Sequence, residues 1–233
     1  MTDQLVRGGI IAAGDGYRLR QAGFTMPKPM VPVAGTPLIE SVIRNFRAAG
    51  ITSLVIIVNE RDRECAGWIG ARFPDLDLHV IVKTTESSLA SFREVTAHAG
   101  GGRLLVSTVD AWCAEHDFVR FVRAALRRPP EATVLAVTPL VADERPLWVR
   151  LGEDGRVTGV GGDEGNVVTA GMYLLPERLR AIEPPRVARL RDFLAWLCER
   201  GEPMYAETIE TVVDVDRASD VALAEALAAT RAS

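Results

Sequence analysis

Short apolar runs alternate with amphipathic stretches through the first part of the chain. The apolar runs predict five strands, over residues 5–13, 54–58, 78–83, 103–109 and 133–139. The amphipathic stretches between them predict helices over residues 37–49, 60–73, 88–99 and 115–128. Strands that alternate with helices of about 10 to 15 residues are typical of right-handed βαβ crossovers. We therefore expect an α/β fold built on a doubly wound, mostly parallel sheet.

The pattern changes from about residue 145 onward. Two short apolar runs flank the sequence Gly152-Glu153-Asp154-Gly155, which is typical of a β-hairpin turn. The remaining predicted elements are strands over 147–151, 156–160, 168–175 and 209–215, and helices over 187–200 and 218–229. The sequence contains no internal repeat, low-complexity segment or linker. We therefore predict one Rossmann-like domain over residues 1–233, in which the hairpin is a small excursion from the main sheet.

Composition and charge narrow the class of protein. The 233 residues are 48% hydrophobic and 25% charged, with a net charge of −4, which argues against a nucleic-acid binder with a broad basic surface. The N-terminus lacks a secretory signal, and no apolar stretch reaches the roughly 18 residues that a membrane span needs. Cys65, Cys113 and Cys198 are widely spaced, as is typical of reduced structural thiols. We expect a cytoplasmic protein that binds neither nucleic acid nor a membrane.

A glycine-rich turn follows the first predicted strand and ends at Arg18. Its sequence, Gly14-Asp15-Gly16-Tyr17-Arg18, lets backbone N–H groups approach a phosphate closely, and the arginine can neutralise phosphate charge. The turn is neither a P-loop nor the GxGxxG dinucleotide fingerprint. A plain strand-to-loop connection would explain the glycines equally well.

Lys28 lies on a stiff loop ten residues after Arg18. Pro27, Pro29 and Pro32 surround it and exclude an α-helix. Only two of the 27 basic residues are lysines, so a lysine here favours a site that needs a compact point charge rather than a planar guanidinium. The alternative is an exposed basic position without a special role.

Together these two segments resemble the N-terminal signature of the nucleotidyltransferase superfamily. The shared pattern is Ala-Ala-Gly-x-Gly-x-Arg followed by Pro-Lys-Pro-Met-x-Pro-Val. The superfamily includes sugar-1-phosphate nucleotidyltransferases, small cytidylyltransferases and MobA-like enzymes. The resemblance implies that Arg18 binds the β- and γ-phosphates of an NTP and that Lys28 acts on its α-phosphate. It also implies that the nucleotide is cradled by the backbone amides of Ala12, Ala13, Gly14 and Gly16.

The same resemblance implies a Mg²⁺ site built from aspartates. Asp110 ends the strand over 103–109 and matches the family carboxylate that binds Mg²⁺, although Val109 stands where the family usually has glycine. Asp214 and Asp216 match the second ligand, and residues two apart in a strand share a face, so the pattern leaves both open. Asp216 is favoured slightly because it is nearer the strand end. Carboxylate oxygens suit a hard cation. For Asp110 alone, a capping role at the strand end is the alternative.

Two further segments match the superfamily more loosely. Thr169-Ala170-Gly171-Met172-Tyr173 is similar to the family's Asn-Ala-Gly-x-Tyr strand, which implies acceptor contacts at Thr169 and Gly171. Gly171 is alternatively a point where another strand comes close. Ser87 and Ser88 lie where the family places contacts to the nucleotide. One of these serines is expected to be a helix N-cap instead.

The resemblance implies Mg²⁺-dependent nucleotidyl transfer from an NTP to a phosphorylated small-molecule acceptor, with release of pyrophosphate. The Gly-Thr-Ala and Glu-Lys-Pro motifs of the larger sugar-nucleotide enzymes are missing, which favours CTP or UTP as donor. The acceptor is expected to be a sugar 1-phosphate or a phosphorylated alcohol. Two alternatives remain: a GT-A-like glycosyltransferase that uses a nucleotide sugar, and a non-catalytic relative that binds a nucleotide or sugar phosphate.

Overall fold

The computed structural model describes residues 5–142, 146–183 and 187–231. Its strands are β1 (Val6–Ala12), β2 (Pro32–Val33), β3 (Thr36–Pro37), β4 (Ser53–Val58), β5 (Asp77–Val82), β6 (Arg103–Thr108), β7 (Ala111–Trp112), β8 (Thr133–Thr138), β9 (Trp148–Leu151), β10 (Val157–Val160), β11 (Val167–Leu175), β12 (Met204–Thr208) and β13 (Val213–Asp214). Its α-helices are α1 (Tyr17–Gln21), α2 (Leu38–Ala48), α3 (Glu64–Arg72), α4 (Ser88–His98), α5 (Glu115–Arg127), α6 (Glu177–Arg180), α7 (Leu190–Glu199) and α8 (Ala218–Arg231).

Nine of these strands form one sheet. Its main path runs β10-β9-β11-β6-β1-β4-β5, and β8 joins β11 to β12. The pairs β6–β1, β1–β4, β4–β5 and β12–β8 are parallel. By contrast, β11 runs antiparallel to β6 and β8. The expected α/β fold with a mostly parallel, Rossmann-like sheet is therefore confirmed.

Apolar side chains on the two faces of the sheet form two cores. Ile10 and Ile11 are adjacent in β1 and belong to different clusters, because successive strand residues point to opposite faces. One cluster contains Phe46 of α2 and Phe118 of α5. The other contains Phe92 of α4 and Phe193 of α7, whose rings lie 5.8 Å apart. Helices thus cover both faces and leave the strand ends accessible at the sheet edge.

The predicted hairpin is confirmed, since β9 and β10 pair antiparallel. The predicted strand over residues 209–215 is wrong: β12 lies earlier in the chain, and only the two residues of β13 are extended. Ile209, Val212, Val213 and Val215 are nevertheless buried. The apolar run therefore reflected a loop that is packed into the core rather than a strand.

Two helix predictions also need adjustment, and one short helix was missed. The first turn of the helix predicted over 60–73 is a 3₁₀ turn at Glu60–Asp62, and α3 begins at Glu64. The helix α7 begins at Leu190 rather than at residue 187. The five-residue helix α1 was not predicted at all. Within the described part of the chain, no helix has the length and apolarity of a membrane span.

Candidate active site

Residues from three distant segments meet where β1 and β6 end. The ammonium group of Lys28 lies 2.5 Å from Oδ2 of Asp110 and also contacts Oδ1 of Asp216. Arg18 donates a hydrogen bond to Oδ2 of Asp216 at 3.0 Å. The structure therefore brings five predicted site residues into one polar cluster at the carboxyl edge of the sheet: Arg18, Lys28, Asp110, Asp214 and Asp216.

Local sequence fixes the position of Lys28. Residues Lys28–Met30 form a 3₁₀ turn that is preceded by Pro27, and the N–H of Met30 donates to the carbonyl of Pro27 at 2.8 Å. Proline restricts φ on both sides of the lysine. Only 8% of the Lys28 residue is exposed. Its charge is therefore held at a defined point beneath the glycine-rich turn.

The charges of Lys28 and Asp110 depend on each other. Burial by itself would lower the pKa of Lys28, but Asp110, Asp216 and Asp214 raise it, and the net result is a pKa above the usual value for lysine. Burial by itself would raise the pKa of Asp110. The charge and hydrogen bond of Lys28, together with a hydrogen bond from Thr108, outweigh that effect and lower the pKa. Both groups are therefore ionised at neutral pH.

The three aspartates form a candidate cation site. Asp110, Asp214 and Asp216 each offer a carboxylate oxygen, and these oxygens lie within 4.8 Å of one another. The backbone holds them in place, since Asp214 pairs with Ala111 between β13 and β7 and the N–H of Val215 donates to the carbonyl of Asp110 at 3.0 Å. This all-oxygen donor set fits Mg²⁺.

Asp220 lies in the first turn of α8 and has a structural role there. Its carboxylate accepts hydrogen bonds from the N–H groups of Asp216, at 3.0 Å, and Arg217, at 2.7 Å. This cap fixes the backbone that carries Asp216.

The glycine-rich turn passes directly over Lys28. Gly16 has a φ of +62°, and a Cβ added there would lie 2.9 Å from the Cβ of Lys28. A side chain at Gly16 would therefore be strained and would displace the lysine. Gly14 differs, because a Cβ at that position would have no heavy atom within 4 Å. Within this turn, Gly14 therefore borders open space, whereas Ala12 and Ala13 are buried. Contact of Ala12, Ala13, Gly14 and Gly16 with a nucleotide stays a prediction.

The sequence analysis assigned no role to two polar residues at this turn, Asn59 and Asp15. Asn59 follows β4 and is buried, and its side chain donates to the carbonyl of Ala13 at 3.2 Å and accepts from Thr84 at 3.2 Å. The available signal was a lone polar residue directly after an apolar strand. Asp15 pairs with Arg61 and Arg20, and hydrogen bonds from both arginines lower its pKa.

The two serines predicted as nucleotide contacts have structural partners. The hydroxyl of Ser87 accepts from the N–H of Ala90 at 3.1 Å and caps α4. The hydroxyl of Ser88 accepts from the N–H of Leu190 at 3.0 Å, which links α4 to the start of α7. The N-cap alternative is therefore confirmed for Ser87, and contact of either serine with a nucleotide stays a prediction.

Thr169 and Gly171 line a cavity of about 180 Å³ beside the aspartates, together with Asp110 and Asp214. At this point the pairing of β11 with β8 shifts register between Thr169 and Tyr173. Gly171 has a φ of +70°, and a Cβ there would lie 2.7 Å from Oγ1 of Thr108 and 2.8 Å from the Cβ of Ala111. The close approach of a neighbouring strand, given above as an alternative, thus requires glycine here.

Tyr173 and Arg191 also line the cavity and were missed as site residues. Burial raises the pKa of Tyr173 to about 12, although a hydrogen bond with Thr169 opposes the shift. Arg191 reaches the cavity from α7, and no motif in the sequence marks it. Its place depends on how α7 packs against the sheet.

Comparisons with known proteins agree with this geometry. Residues 8–197 match the sequence model of the MobA-like NTP transferase domain. CMP-5'-(3-aminopropyl)phosphonate synthase of Streptomyces rubellomurinus is 28% identical over 74% of this chain and 28% of its own length. The bifunctional IPC transferase and DIPP synthase of Rubrobacter xylanophilus is 30% identical over 93% of this chain and 50% of its own length. For 2-C-methyl-D-erythritol 4-phosphate cytidylyltransferase of Cereibacter sphaeroides the identity is 30%, over 64% of this chain and 63% of the relative.

Each of these relatives is thus matched over less than two thirds of its length. Two solved structures share the fold. The inositol-1-phosphate CTP transferase from T. maritima superposes with a TM-score of 0.80 at 17% identity, covering 93% of this chain and 92% of the other. An apo-UDP-glucose pyrophosphorylase gives a TM-score of 0.80 at 16% identity, covering 98% and 100%.

Proposed function

We propose that this chain, which belongs to the MobA-like NTP transferase family, is a Mg²⁺-dependent cytidylyltransferase that acts on a phosphorylated small molecule and releases pyrophosphate. CTP is favoured as donor because two of the relatives described above are named for CMP or cytidylyl products. The observation that carries the proposal is the buried Lys28 ammonium, held by Asp110 and Asp216 beneath a glycine-rich turn.

The proposed reaction needs no strong general base. An organic phosphate has a second pKa of about 6, so the attacking oxygen is already largely ionised at neutral pH. This oxygen forms a bond to the α-phosphorus of the NTP while the bond from that phosphorus to the bridging oxygen breaks. Pyrophosphate leaves with the electron pair. Catalysis therefore consists of positioning the two substrates and neutralising negative charge.

The chain supplies the charges and donors that this reaction requires. Lys28 neutralises charge on the α-phosphate, and it is in place before the substrate binds because two carboxylates hold it. Arg18 is half exposed beside Asp216 and binds the departing phosphates. The amides of the turn over residues 12–16 bind the triphosphate. Asp110, Asp214 and Asp216 would hold Mg²⁺, which when bound neutralises phosphate charge.

The test is pyrophosphate release by wild-type protein with each of the four NTPs and a panel of phosphorylated acceptors. Lys28→Met is expected to lower kcat by about 10²- to 10³-fold, as the loss of one charge-stabilising contact typically does. Lys83→Met is the matched control. Lys83 is the other lysine of the chain, is half exposed and pairs with Glu94 at 2.6 Å, so its loss should leave kcat unchanged.

The products separate this proposal from its alternatives. A glycosyltransferase would release a nucleoside diphosphate from a nucleotide sugar, and a non-catalytic relative would bind NTP without turnover. Either result, or near-wild-type turnover by Lys28→Met, would contradict the proposal.

A further inference from the structure

We propose that a second copy of this chain pairs with strand β5 (Asp77–Val82), so that two nine-stranded sheets join edge to edge in a symmetric dimer. The two β5 strands run antiparallel, and Val80 of one copy lies opposite Val80 of the other. This inference does not rest on the proposed function, because it concerns a sheet edge that carries none of the residues of the polar cluster.

The outer edge of β5 is open and regular. The strand lies at one end of the main path of the sheet and pairs in parallel with β4 along its whole length, without a register shift. Among the described residues, no strand pairs with its other side. Its sequence, Asp-Leu-His-Val-Ile-Val, contains no proline or lysine. An edge of this kind is a template for another strand, and proteins usually interrupt or cover the edges that they do not use.

The other ends of the sheet are interrupted in this way. The pairing of β10 with β9 shifts register between Val157 and Gly159, and such irregularities disfavour further pairing. At the end of the branch through β8, Tyr205 of β12 already forms a bridge with Arg156. Of the sheet ends that the structure describes, β5 is thus the one with a regular, unpaired edge.

The side chains of β5 are also less buried than those of its neighbour β4. Every residue of β4 from Leu54 to Val58 is buried. By contrast, Leu78 and Val80 are half-buried, and Val82 is 37% exposed. Pairing with another strand would remove part of this apolar surface from water, which favours association.

Two hydrogen bonds establish which backbone groups of β5 point outward. The N–H of Asp77 donates to the carbonyl of Thr52 at 3.0 Å, and the N–H of Lys83 donates to the carbonyl of Val58 at 2.9 Å. Since the backbone groups alternate in direction along a strand, the odd-numbered residues face β4. The N–H and C=O groups of the even-numbered residues therefore point to the open side: Leu78, Val80 and Val82.

These outward groups restrict the register of an antiparallel pair. Outward residues must lie opposite one another, and each such pair exchanges two backbone hydrogen bonds. With Val80 opposite Val80 of the second copy, Leu78 lies opposite Val82, and all three outward residues are used. A shift by two residues leaves one of them without a partner in β5. The register centred on Val80 is therefore the most favourable, and it places only apolar side chains opposite each other on this face.

The same register also brings opposite charges together. Asp77 of each copy lies opposite Lys83 of the other, so an ion pair forms at each end of the paired strands. Both side chains have capacity for this contact. The carboxylate of Asp77 accepts one hydrogen bond from Ser53 at 2.7 Å, and Lys83 contacts Glu94 at 2.6 Å but has three donors. A second copy thus fits this edge in hydrogen bonding, apolar contact and charge.

Sedimentation equilibrium of the full chain over a wide concentration range measures the association. We expect a monomer–dimer equilibrium that reaches twice the 25.3 kDa of one chain. Asp77→Lys places two lysines opposite each other at both ends, so the dimer dissociation constant should rise about tenfold. Lys83→Asp should have a similar effect. The double variant Asp77→Lys/Lys83→Asp restores both ion pairs in reversed order and should return the dissociation constant to near the wild-type value.

Asp163→Lys is the matched control. It makes the same change in net charge at an exposed residue beyond β10, at the opposite end of the main path of the sheet, and should leave the dissociation constant unchanged. Circular dichroism should show wild-type folding for all of these variants, since each of them changes exposed side chains.

Disulfide formation tests the register itself. In a hydrogen-bonded antiparallel pair the two Cα atoms are about 5.5 Å apart, which is within the range that a disulfide can bridge. Val80→Cys should therefore form a covalent dimer on mild oxidation. Val82→Cys is the matched control on the same face. The two copies of residue 82 would lie roughly 13 Å apart along the strands, so they should not crosslink, although Val82 is exposed.

Each outcome decides for or against the inference. A protein that stays monomeric at every concentration would overturn it and would leave a strand of another protein as the partner of this edge. A dimer whose dissociation constant is unchanged in Asp77→Lys would also overturn it, because association would then use another surface. Failure of the double variant to recover, or crosslinking of Val82→Cys as readily as Val80→Cys, would overturn the register.

Discussion

The two sides of the site differ in the chemical groups that form them. On the donor side, Lys28, Arg18 and a glycine-rich turn bring charge and backbone amides to one point, and Gly16 lies against Lys28 itself. On the acceptor side, a small cavity is walled largely by apolar side chains and carries Arg191. The donor side is suited to neutralise triphosphate charge. The acceptor side combines this apolar wall with the charges of Arg191, Asp110 and Asp214.

The two sides also differ in how far apart their residues lie in the sequence. The donor side comes from residues 13–28, directly after β1, so its parts are close in sequence and in space. The acceptor side gathers residues from β6, β8, β11, α7 and β13. We therefore expect that a change in β8, β11 or α7 can alter acceptor choice without altering the glycine-rich turn, Arg18 or Lys28.

The largest expected effect is a loss of kcat on substitution of Asp110, which contacts Lys28 on the donor side and lines the cavity on the acceptor side. Asp110→Asn removes a carboxylate that contacts Lys28 and lies within the acidic cluster. We expect kcat to fall by about 10²- to 10³-fold. Mn²⁺ titration by calorimetry should show weaker binding as well. Asp75→Asn is the control, because this exposed carboxylate pairs with Arg47 far from the cluster and its loss should change neither quantity. Unchanged Mn²⁺ affinity in Asp110→Asn would contradict the assignment.

The next effect is expected on the acceptor side, at Gly171. Alanine there would combine a φ of +70° with contacts of 2.7 Å and 2.8 Å to the segment that carries Asp110. We expect a loss of about 2–4 kcal/mol in the free energy of unfolding. At about 2–4 °C for each kcal/mol, the Tm should fall by roughly 5–15 °C.

Gly67→Ala provides the control for that measurement. Gly67 lies within α3, and a Cβ there would meet no heavy atom within 4 Å. Because glycine is unfavourable in a helix, this change should stabilise the protein by about 0.5–1 kcal/mol. A Gly171→Ala variant as stable as wild type would show that the strand can relax.

The smallest expected effect in this series concerns two glycines of the donor side, Gly14 and Gly16. Gly14→Ala adds a methyl group into open space, so the Tm should not change, whereas the KM for NTP should rise about tenfold because a phosphate–amide contact is weakened. Gly16→Ala should lower both the Tm and kcat, since it strains the backbone and displaces Lys28. Thermal melting and initial rates on the two variants check this contrast. If Gly14→Ala binds NTP as wild type does, the turn is not the cradle.

Sequence reasoning reached the donor side more completely than the acceptor side. The signature around Gly16, Arg18 and Lys28 is local, and strand ends are predictable from apolar runs, which placed Asp110 correctly. Asn59 could have been found as a polar residue after β4. Arg191 could not, because it reaches the cavity only through the packing of α7. The misplaced strand near Ile209 has a related cause, since burial of an apolar run does not by itself require a strand.

The most direct measurement of the central claim is ³¹P NMR of the complete reaction with CTP, Mg²⁺ and an accepted organic phosphate. The account predicts that CTP and the organic phosphate disappear together, with one pyrophosphate and one mixed anhydride of CMP and the acceptor phosphate formed for each CTP consumed. Lys28→Met should show both products at a strongly reduced rate. Formation of CDP, or consumption of CTP without the anhydride, would contradict the account.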